Sequence, residues 1–417
     1  MRILFLLPDF PYPASNGGRL KIFNILKHMS RGNQCDIICF GKATEVDLLG
    51  LAMTLPSVKV LQVFPPVTGY RKLWLALGML ARGLPPSFAA FCRPEYRVFF
   101  QEALNKSAYD IVHYDIINMA QHLTYGDRVA SFHSPNDATS MVYFRMAGAL
   151  RWSLQKMFIF LSATLLRRFE RKSYPRFDKI HVVSTQDASY LTGLDARIDV
   201  TVIPIAIDYV VSHDRDLMIQ LSNLHKRPSR IICTGNFDNS AILAGIDQFV
   251  RYGMPSIVAT LPNTQLVILG KNINERLKRR YDSMLGVQVL TWVESYLDFL
   301  STADVVLIPD QVGPNGAKTR TLEAMSLKLP VVGTQTAFAG IPVIHRKHGL
   351  IYGTIPECTE LILSVLQDEN LKNDIGNNAF HLVTENFSLG LVGPKYEMLY
   401  QATVAKFNQR SRVKSGE

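Results

Sequence analysis

The sequence predicts an α/β protein built as two doubly wound parallel-sheet domains. Three observations carry that reading. The chain has 417 residues, 47% of them hydrophobic, enough for two or three ordinary domains and too much for one small core. Short apolar runs alternate with segments of helical spacing along nearly the whole length, as a parallel sheet covered by helices requires. The alternation lapses once, over 209–228, and restarts with a fresh strand at Arg230, which places a linker there.

The strand-like runs follow in order. The first half holds RILFLLP (2–8), QCDIICFG (34–41), VKVLQVF (58–64), YDIVHYD (109–115), RVASFHS (128–134), DKIHVVS (178–184) and VTVIPIAID (200–208). The second half holds SRIICTGN (229–236), TQLVILG (264–270), GVQVLTWV (286–293), ADVVLIPD (303–310) and PVVGTQ (330–335). Intervening segments such as GRLKIFNILKHMS (18–30) and NINERLKRRYDSML (272–285) space their apolar residues as helices do. The opening run reads as a strand and not a secretory signal, because Pro8, Asp9, Pro11 and Pro13 interrupt it at once. The apolar stretch at 157–166 is too short to span ~30 Å of hydrocarbon.

Composition narrows the class. Five scattered cysteines, with no Cys-x-x-Cys pair, argue against a disulfide framework and fit a reducing cytoplasm. The net charge is +10, and residues 1–212 hold 24 Lys and Arg against 16 Asp and Glu. A basic first half suits an anionic partner such as a membrane surface or a phosphorylated substrate. A nucleic-acid partner is not expected, since no recognition motif or basic–aromatic platform is present.

The most informative stretch is PDQVGPNGAKTRTLEAMSLKLPVVGTQTAFAGI, 309–341. A strand ends at Pro309, a loop containing Gly313 and Gly316 follows, a helix begins near Ala317, and a second strand starts after Leu329. A Gly-containing turn feeding a helix N-terminus aims backbone N–H groups, with a partial positive charge, at an anion. Lys318 and Arg320 add full charge in the first turn, where they oppose the helix dipole until a phosphate binds. Glu323 lies about two turns past the loop, within reach of a ribose hydroxyl pair. Spacing alone favours an ordinary strand–helix–strand unit with solvated Lys and Arg.

The segment also resembles the nucleotide-sugar site of retaining glycosyltransferases of the GT-B fold, family four. That site has a Pro-ended strand and two Glu separated by seven residues. The second Glu sits in a Leu-Glu-Ala-Met helix, and Pro-Val-Val follows. Here 322–325 read LEAM and 330–332 read PVV. The resemblance covers almost the whole chain. LPDFPYPASNGGRLKIFNILKHM matches the first strand and its Gly-Gly loop, with Lys21 at the usual Arg position. YDIVHYD, SFHS, VIPIAID and TGNFDNSAILAGIDQFV match in order. The variant is most similar to bacterial sugar transferases of exopolysaccharide and cell-envelope systems. Three features depart from the pattern. Asn315 stands at the first Glu, 240–245 offer no cation, and Ile-Pro-Ile-Ala-Ile-Asp replaces Ile-Pro-Asn-Gly-Val-Asp.

The resemblance implies two Rossmann-like domains facing a cleft. Residues 1–212 would form the acceptor domain and 213–392 the donor domain, with a last helix at about 393–417 packing back on the first. It implies transfer of a sugar from a nucleoside-diphosphate sugar to a glycan, lipid-linked or small-molecule acceptor, with retention. No cofactor beyond that donor is implied, and no divalent metal is required. Asp214-Arg215-Asp216, in the linker, reads as solvated charge. Glu323 would bind the ribose, and Asn315, Gly316, Lys318, Thr319, Arg320, Thr321 and Leu322 would hold sugar and diphosphate. Gly17 and Gly18 from the first domain, and Gly235 and Asn236 from the second, would allow close backbone approach to the phosphates, and Lys21 would be among the donor-binding residues. Trp292 and Val293 would contact the base, and His133 would approach the sugar. The expected catalytic set is His133, Asn315, Lys318 and Arg320. Substituting Lys318 or Arg320 is expected to cost within about 0.5 kcal/mol of stability, as at other exposed helix starts. An inactive binding protein on the same fold is the alternative, with Asn315 as its support. An epimerase ranks below it, for want of paired acid–base carboxylates.

Two segments bear on a membrane. YRKLWLALGMLARGL, 70–84, is apolar with basic flanks and reads equally as a surface or a core helix. In 151–179 apolar residues lie nearly all round, so a core helix with a solvated basic end is expected. The implied setting is the cytoplasm, with peripheral contact to the inner face of the membrane.

Overall fold

The computed structural model describes residues 1–14, 16–125, 129–208, 228–237, 240–313 and 315–415. The segment 209–227, which contains Asp214-Arg215-Asp216 and nearly all of the expected linker, lies outside the described residues. The chain divides into two compact units, Met1–Ala206 with Leu389–Glu417, and Ile207–Ser388.

Unit 1 is a parallel sheet of strands β1 (Arg2–Leu7), β2 (Gln34–Phe40), β3 (Val58–Phe64), β4 (Ile111–Asp115), β5 (Ala130–Ser134), β6 (Lys179–Val182) and β7 (Val200–Val202), in the order β3-β2-β1-β4-β5-β6-β7. Its helices are α1 (Gly17–Met29), α2 (Glu45–Thr54), α3 (Gly69–Ala81), α4 (Pro94–Lys106), α5 (Ile116–Met119), α6 (Thr139–Ala149), α7 (Leu154–Ser173) and α8 (Thr185–Leu194). All side chains from Ile3 to Leu7 are fully buried. This strand reads as an unbroken apolar run because helices cover both faces of the sheet. Asn16 starts α1 by accepting the backbone N–H of Arg19 at 3.0 Å.

Unit 2 repeats the architecture with β8 (Ser229–Asn236), β9 (Thr264–Lys271), β10 (Val287–Leu290), β11 (Val305–Ile308), β12 (Val331–Gly333) and β13 (Leu350–Ile351), in the order β10-β9-β8-β11-β12-β13. Every pairing described in the two sheets is parallel. The helices are α9 (Ser240–Gln248), α10 (Met254–Thr260), α11 (Glu275–Asp282), α12 (Tyr296–Ser301), α13 (Thr319–Ser326), α14 (Ile355–Gln367) and α15 (Glu369–Phe387), and α16 (Leu389–Ser415) returns to unit 1. In both units the strand order reverses beside the first strand, between β1 and β4 and between β8 and β11. Ligands of such sheets bind at that switch point, beyond the carboxyl ends of the strands.

Two readings change in the structure. The two-residue strand β13 has no counterpart among the sequence-predicted runs, being too short to show a pattern. Helix α7 is not a core helix. Its buried face is Ser162, Ala163, Leu166, Phe169 and Glu170, while Met157, Phe158, Phe160 and Leu161 point outward. The inward face mixes small, apolar and acidic residues, so an apolar content spread nearly all round did not make this a core helix. No helix among the described residues is long and apolar enough to cross a membrane.

Candidate functional site

The candidate residues of 309–323 lie with Gly235 and Asn236 at the switch point of unit 2, while Trp292 and Val293 lie beyond the edge strand β10. Strand β8 ends in Thr234-Gly235-Asn236, and β11 runs into Pro309 and Asp310. Helix α13 starts at Thr319, two residues later than the spacing suggests, with Lys318 as its N-cap. The loop before it is pressed against the 3₁₀ turn after β12. A Cβ on Gly340, whose φ is +72°, would stand 2.6 Å from the backbone nitrogen of Ala317 and 3.0 Å from the carbonyl oxygen of Asn315. Only glycine suits both the left-handed backbone and that approach. Gly245, in α9, lies as tightly against the end of β11, since a Cβ there would fall 1.9 Å from the Pro309 carbonyl oxygen.

Arg320 joins the two strands across the crevice. Its guanidinium donates to the carbonyl of Thr234 on β8 and to both carboxylate oxygens of Asp310 after β11. The Asp310 side chain is 5% exposed and that of Arg320 16%. This corrects the expectation of a solvated helix-start cation: the charge of Arg320 is already matched by a buried carboxylate. Removing the guanidinium would strand Asp310, at a cost of about 3–5 kcal/mol and not a surface-site fraction.

Glu323 lies one turn further along α13 and is half-buried. Burial pushes its carboxyl up to about 7; a hydrogen bond from the Tyr296 hydroxyl and the charge of Arg320 pull the other way. Tyr296, at the start of α12, lies 3.4 Å from the Thr234 hydroxyl. Asn315 and Thr319 are half-buried, Gly316 is buried, and Lys318 is half-buried. The Lys318 ammonium lies 2.9 Å from where a Cβ on Gly313 would stand. Trp292 is 73% exposed beyond the end of β10, so it is a surface and not a core ring, and Val293 beside it is half-buried. Among the described residues no group of three or more His, Cys, Asp or Glu side chains is placed to hold a metal ion.

Other expected contacts are turned inward. Thr321 is fully buried, and its hydroxyl donates to the Ala337 carbonyl at 2.8 Å. Leu322 is core. The space above Gly235 is occupied by protein, since a Cβ there would meet Ile242 at 2.7 Å. Asn236 is exposed and accepts from Asn272 at 3.3 Å.

In unit 1, Gly17 and Gly18 open α1 and are half-buried. Lys21 is 1% exposed. Its ammonium donates to Asp115 at 2.7 Å and to the carbonyl and hydroxyl oxygens of Ser134 at 3.1 Å each. It is a buried cation that fixes the ends of β4 and β5, not a surface for phosphate. His133 is fully buried between Phe177 and Tyr174, with ring centroids 4.7 and 4.8 Å away. Its Nδ1 lies 2.9 Å from the Tyr114 carbonyl, and burial lowers its pKa to about 3. That histidine is a neutral core residue and not a group facing a sugar.

Sequence reasoning missed Asp310, Tyr296 and Gly340. Asp310 carried a usable signal, an acid directly after a Pro-ended strand and ten residues before an arginine. Tyr296 carried none, because its role depends on where α12 meets α13.

These features define a protein of two Rossmann-like domains, with a polar constellation at the switch point of the second. Residues 228–368, about a third of the chain, match the family model described as Glycosyl transferases group 1. No curated protein matches the sequence. Solved structures match over nearly all of it. Sucrose-phosphate synthase from Thermosynechococcus elongatus is 17% identical, with 97% of this chain and 100% of that one covered at a TM-score of 0.70. HepE of Anabaena, in complex with UDP-glucose, is 14% identical, with 96% and 100% covered at 0.65. TarM is 11% identical, with 96% and 99% covered at 0.67. At such identities the likeness establishes the fold, that of the GT-B glycosyltransferases.

Proposed function

We propose that the protein is a retaining glycosyltransferase that moves a sugar from a nucleoside-diphosphate sugar to a glycan, lipid-linked or small-molecule acceptor. The observation that carries this is Glu323, a half-buried carboxyl on α13 directly behind the Gly313–Gly316 loop, inside the stretch that matches the group 1 model. In this reading Glu323 accepts the ribose hydroxyls and the exposed Trp292 stacks on the base. The α13 N-terminus and Lys318 hold the diphosphate, and Asn315 faces the sugar. UDP and UDP-glucose in the HepE structures supply the precedent for the donor. Preorganised positive charge at the leaving diphosphate would do most of the catalysis, and no divalent metal is assigned a role. The setting is the cytoplasm, with the basic first unit against the inner face of the membrane.

A second reading, binding without turnover, is favoured by Asn315 at the first-Glu position and by the pairing of Arg320 with Asp310. A donor screen with Lys318→Ala and Arg320→Ala separates the two. The transferase reading expects turnover by the wild type and a loss on the order of a hundredfold in Lys318→Ala, with its thermal melt little changed. Arg320→Ala should lose stability as well as rate. No transfer from any donor, with nucleotide still bound, would establish the second reading.

A further inference from the structure

A half-buried carboxyl on a helix turns freely between solvent and its own backbone unless a partner fixes it. Glu323 is such a group, and two neighbours act on it. Arg320, three residues earlier on α13, lies on the same face of the helix. Its guanidinium is committed to the Thr234 carbonyl and the Asp310 carboxylate. Its charge acts on Glu323, while its hydrogen bonds tie together the ends of two strands.

Tyr296 is the second neighbour and the first residue of α12, whose N-cap Ser295 accepts the backbone N–H of Asp298 at 3.5 Å. The Tyr296 hydroxyl donates to the Glu323 carboxyl and lies 3.4 Å from the Thr234 hydroxyl. Thr234 therefore meets both neighbours of Glu323, Arg320 through its carbonyl and Tyr296 through its hydroxyl. Burial and the facing Glu323 push the Tyr296 hydroxyl well above the ordinary phenol value, so it stays a donor. An ionised carboxylate offers about four acceptor positions on its two oxygens. With one of them taken by Tyr296, the carboxyl plane is fixed and the others remain for a pair of ribose hydroxyls. Tyr296 also stands four residues after the exposed Trp292, on the segment that follows β10. The same segment thus carries a ring suited to stacking on a base and the donor that orients the carboxyl.

We propose that Tyr296 is a positioning residue for the nucleotide, its hydroxyl holding the Glu323 carboxylate turned toward the ribose, with Thr234 holding Tyr296 in turn. This assignment rests on Glu323 being the ribose acceptor. The other charged and titratable groups around the pair are Arg320 on α13, Asp310 after β11 and Cys233 on β8. Burial pushes the Cys233 thiol up to about 12, so it is neutral throughout the test.

The test uses the full chain and Tyr296→Phe, which keeps the ring and removes only the hydroxyl. The Glu323 carboxyl is titrated in the free protein by NMR of carbon-13-labelled glutamate, its signal assigned by its loss in Glu323→Gln. One hydrogen bond to an ionised carboxylate is worth about tenfold between the two protonation states. The midpoint should therefore climb by about one pH unit from its wild-type place at about 7. Binding of UDP-, GDP- and ADP-glucose, which share ribose and diphosphate, is measured by calorimetry at pH 7. The tightest of the three should lose about fivefold in Tyr296→Phe, because fewer molecules carry the ionised form. Glu323→Ala/Tyr296→Phe should bind no more weakly than Glu323→Ala, since no carboxyl is left to orient. Thr234→Val, which removes the hydroxyl behind Tyr296, should raise the midpoint in the same direction by less. Thermal melts close to the wild type show that the variants fold. An unmoved midpoint in Tyr296→Phe would overturn the positioning role and leave Glu323 in place, as would equal losses from Tyr296→Phe with and without the Glu323 carboxyl. Wild-type affinity in Glu323→Ala, or binding of none of the three donors, would instead remove the ribose reading and the positioning role with it.

Discussion

Glu170 in unit 1 and Glu323 in unit 2 are carboxyls of the same kind in opposite circumstances. Burial pushes both up to about 7. Glu170 is fully buried, and protein saturates it: the Ser140 backbone N–H donates at 3.0 Å, and the Ser140 hydroxyl donates to its second oxygen. Glu323 is half-buried and receives the Tyr296 hydroxyl. A perturbed carboxyl is therefore no sign of function by itself. What distinguishes Glu323, in the proposed reading, is its partial exposure beside the ends of the sheet's switch-point strands.

Of the two carboxyls, Glu170 should show the larger stability loss on substitution by Ala. The substitution leaves the buried Ser140 backbone N–H without its acceptor and the Ser140 hydroxyl with only the Tyr190 hydroxyl, 2.9 Å away, and unit 1 should lose about 2 kcal/mol in denaturant unfolding while nucleotide affinity stays at the wild-type value. A weakened nucleotide affinity would erase the contrast. Because the folded pKa of Glu170 is raised from 4.5 to about 7, folding takes up a proton between those values. Its contribution is complete below about pH 4.5 and declines as pH rises through 7; Glu170→Gln should remove that decline.

Glu323→Ala should invert the pattern. Nucleotide binding measured by calorimetry should weaken by about 1–3 kcal/mol, the loss of charge-assisted hydrogen bonds from the ribose, with the melt little changed. Unaltered affinity would take the ribose away from Glu323.

The smallest and most specific effect is a pH dependence. In the proposed site ribose hydroxyls donate to the ionised carboxylate, and burial raises the Glu323 carboxyl to about 7, so that it is increasingly protonated below that pH. Affinity for an intact nucleotide sugar, whose diphosphate does not titrate there, should rise between pH 5.5 and 8, by at most tenfold per unit below 7. Glu323→Gln should bind weakly and flatly across that range. A wild-type profile without slope would show that the acid is not in the site.

The fold was largely legible in the sequence because parallel strands covered on both faces leave continuous apolar runs, and β1 and β8 are clear examples. The helix that carries Glu323 was legible because a Gly-containing loop introduces it after a Pro-ended strand, whereas the ribose role proposed for Glu323 came from the Leu-Glu-Ala-Met resemblance and not from spacing. The misreadings share one cause. Lys21, His133 and Thr321 are polar residues beside ligand-like motifs, yet each turns inward to a partner distant in sequence: Asp115, the Tyr114 carbonyl and the Ala337 carbonyl. Local pattern gives a residue type and an element; it does not say on which side of the sheet a polar group finds its partner. Arg320 failed in the same way, because Asp310 and Thr234 had claimed it.

Helix α16 has a consequence for how the chain comes into being. Its Tyr400 hydroxyl is hydrogen-bonded to His113 and its Tyr396 hydroxyl lies 3.1 Å from His181, both deep in unit 1. Lys406 and Arg410 reach Asp199 and Asp178 of the same unit. Unit 2 has all of its residues in one uninterrupted stretch, Ile207–Ser388, whereas unit 1 lacks a wall until the helix from Leu389 onward has been made. Synthesis therefore completes the second unit before the first. A premature stop near 388 would leave the histidines of β4 and β6 facing an open apolar trough, a species for chaperones or proteases and not a smaller enzyme.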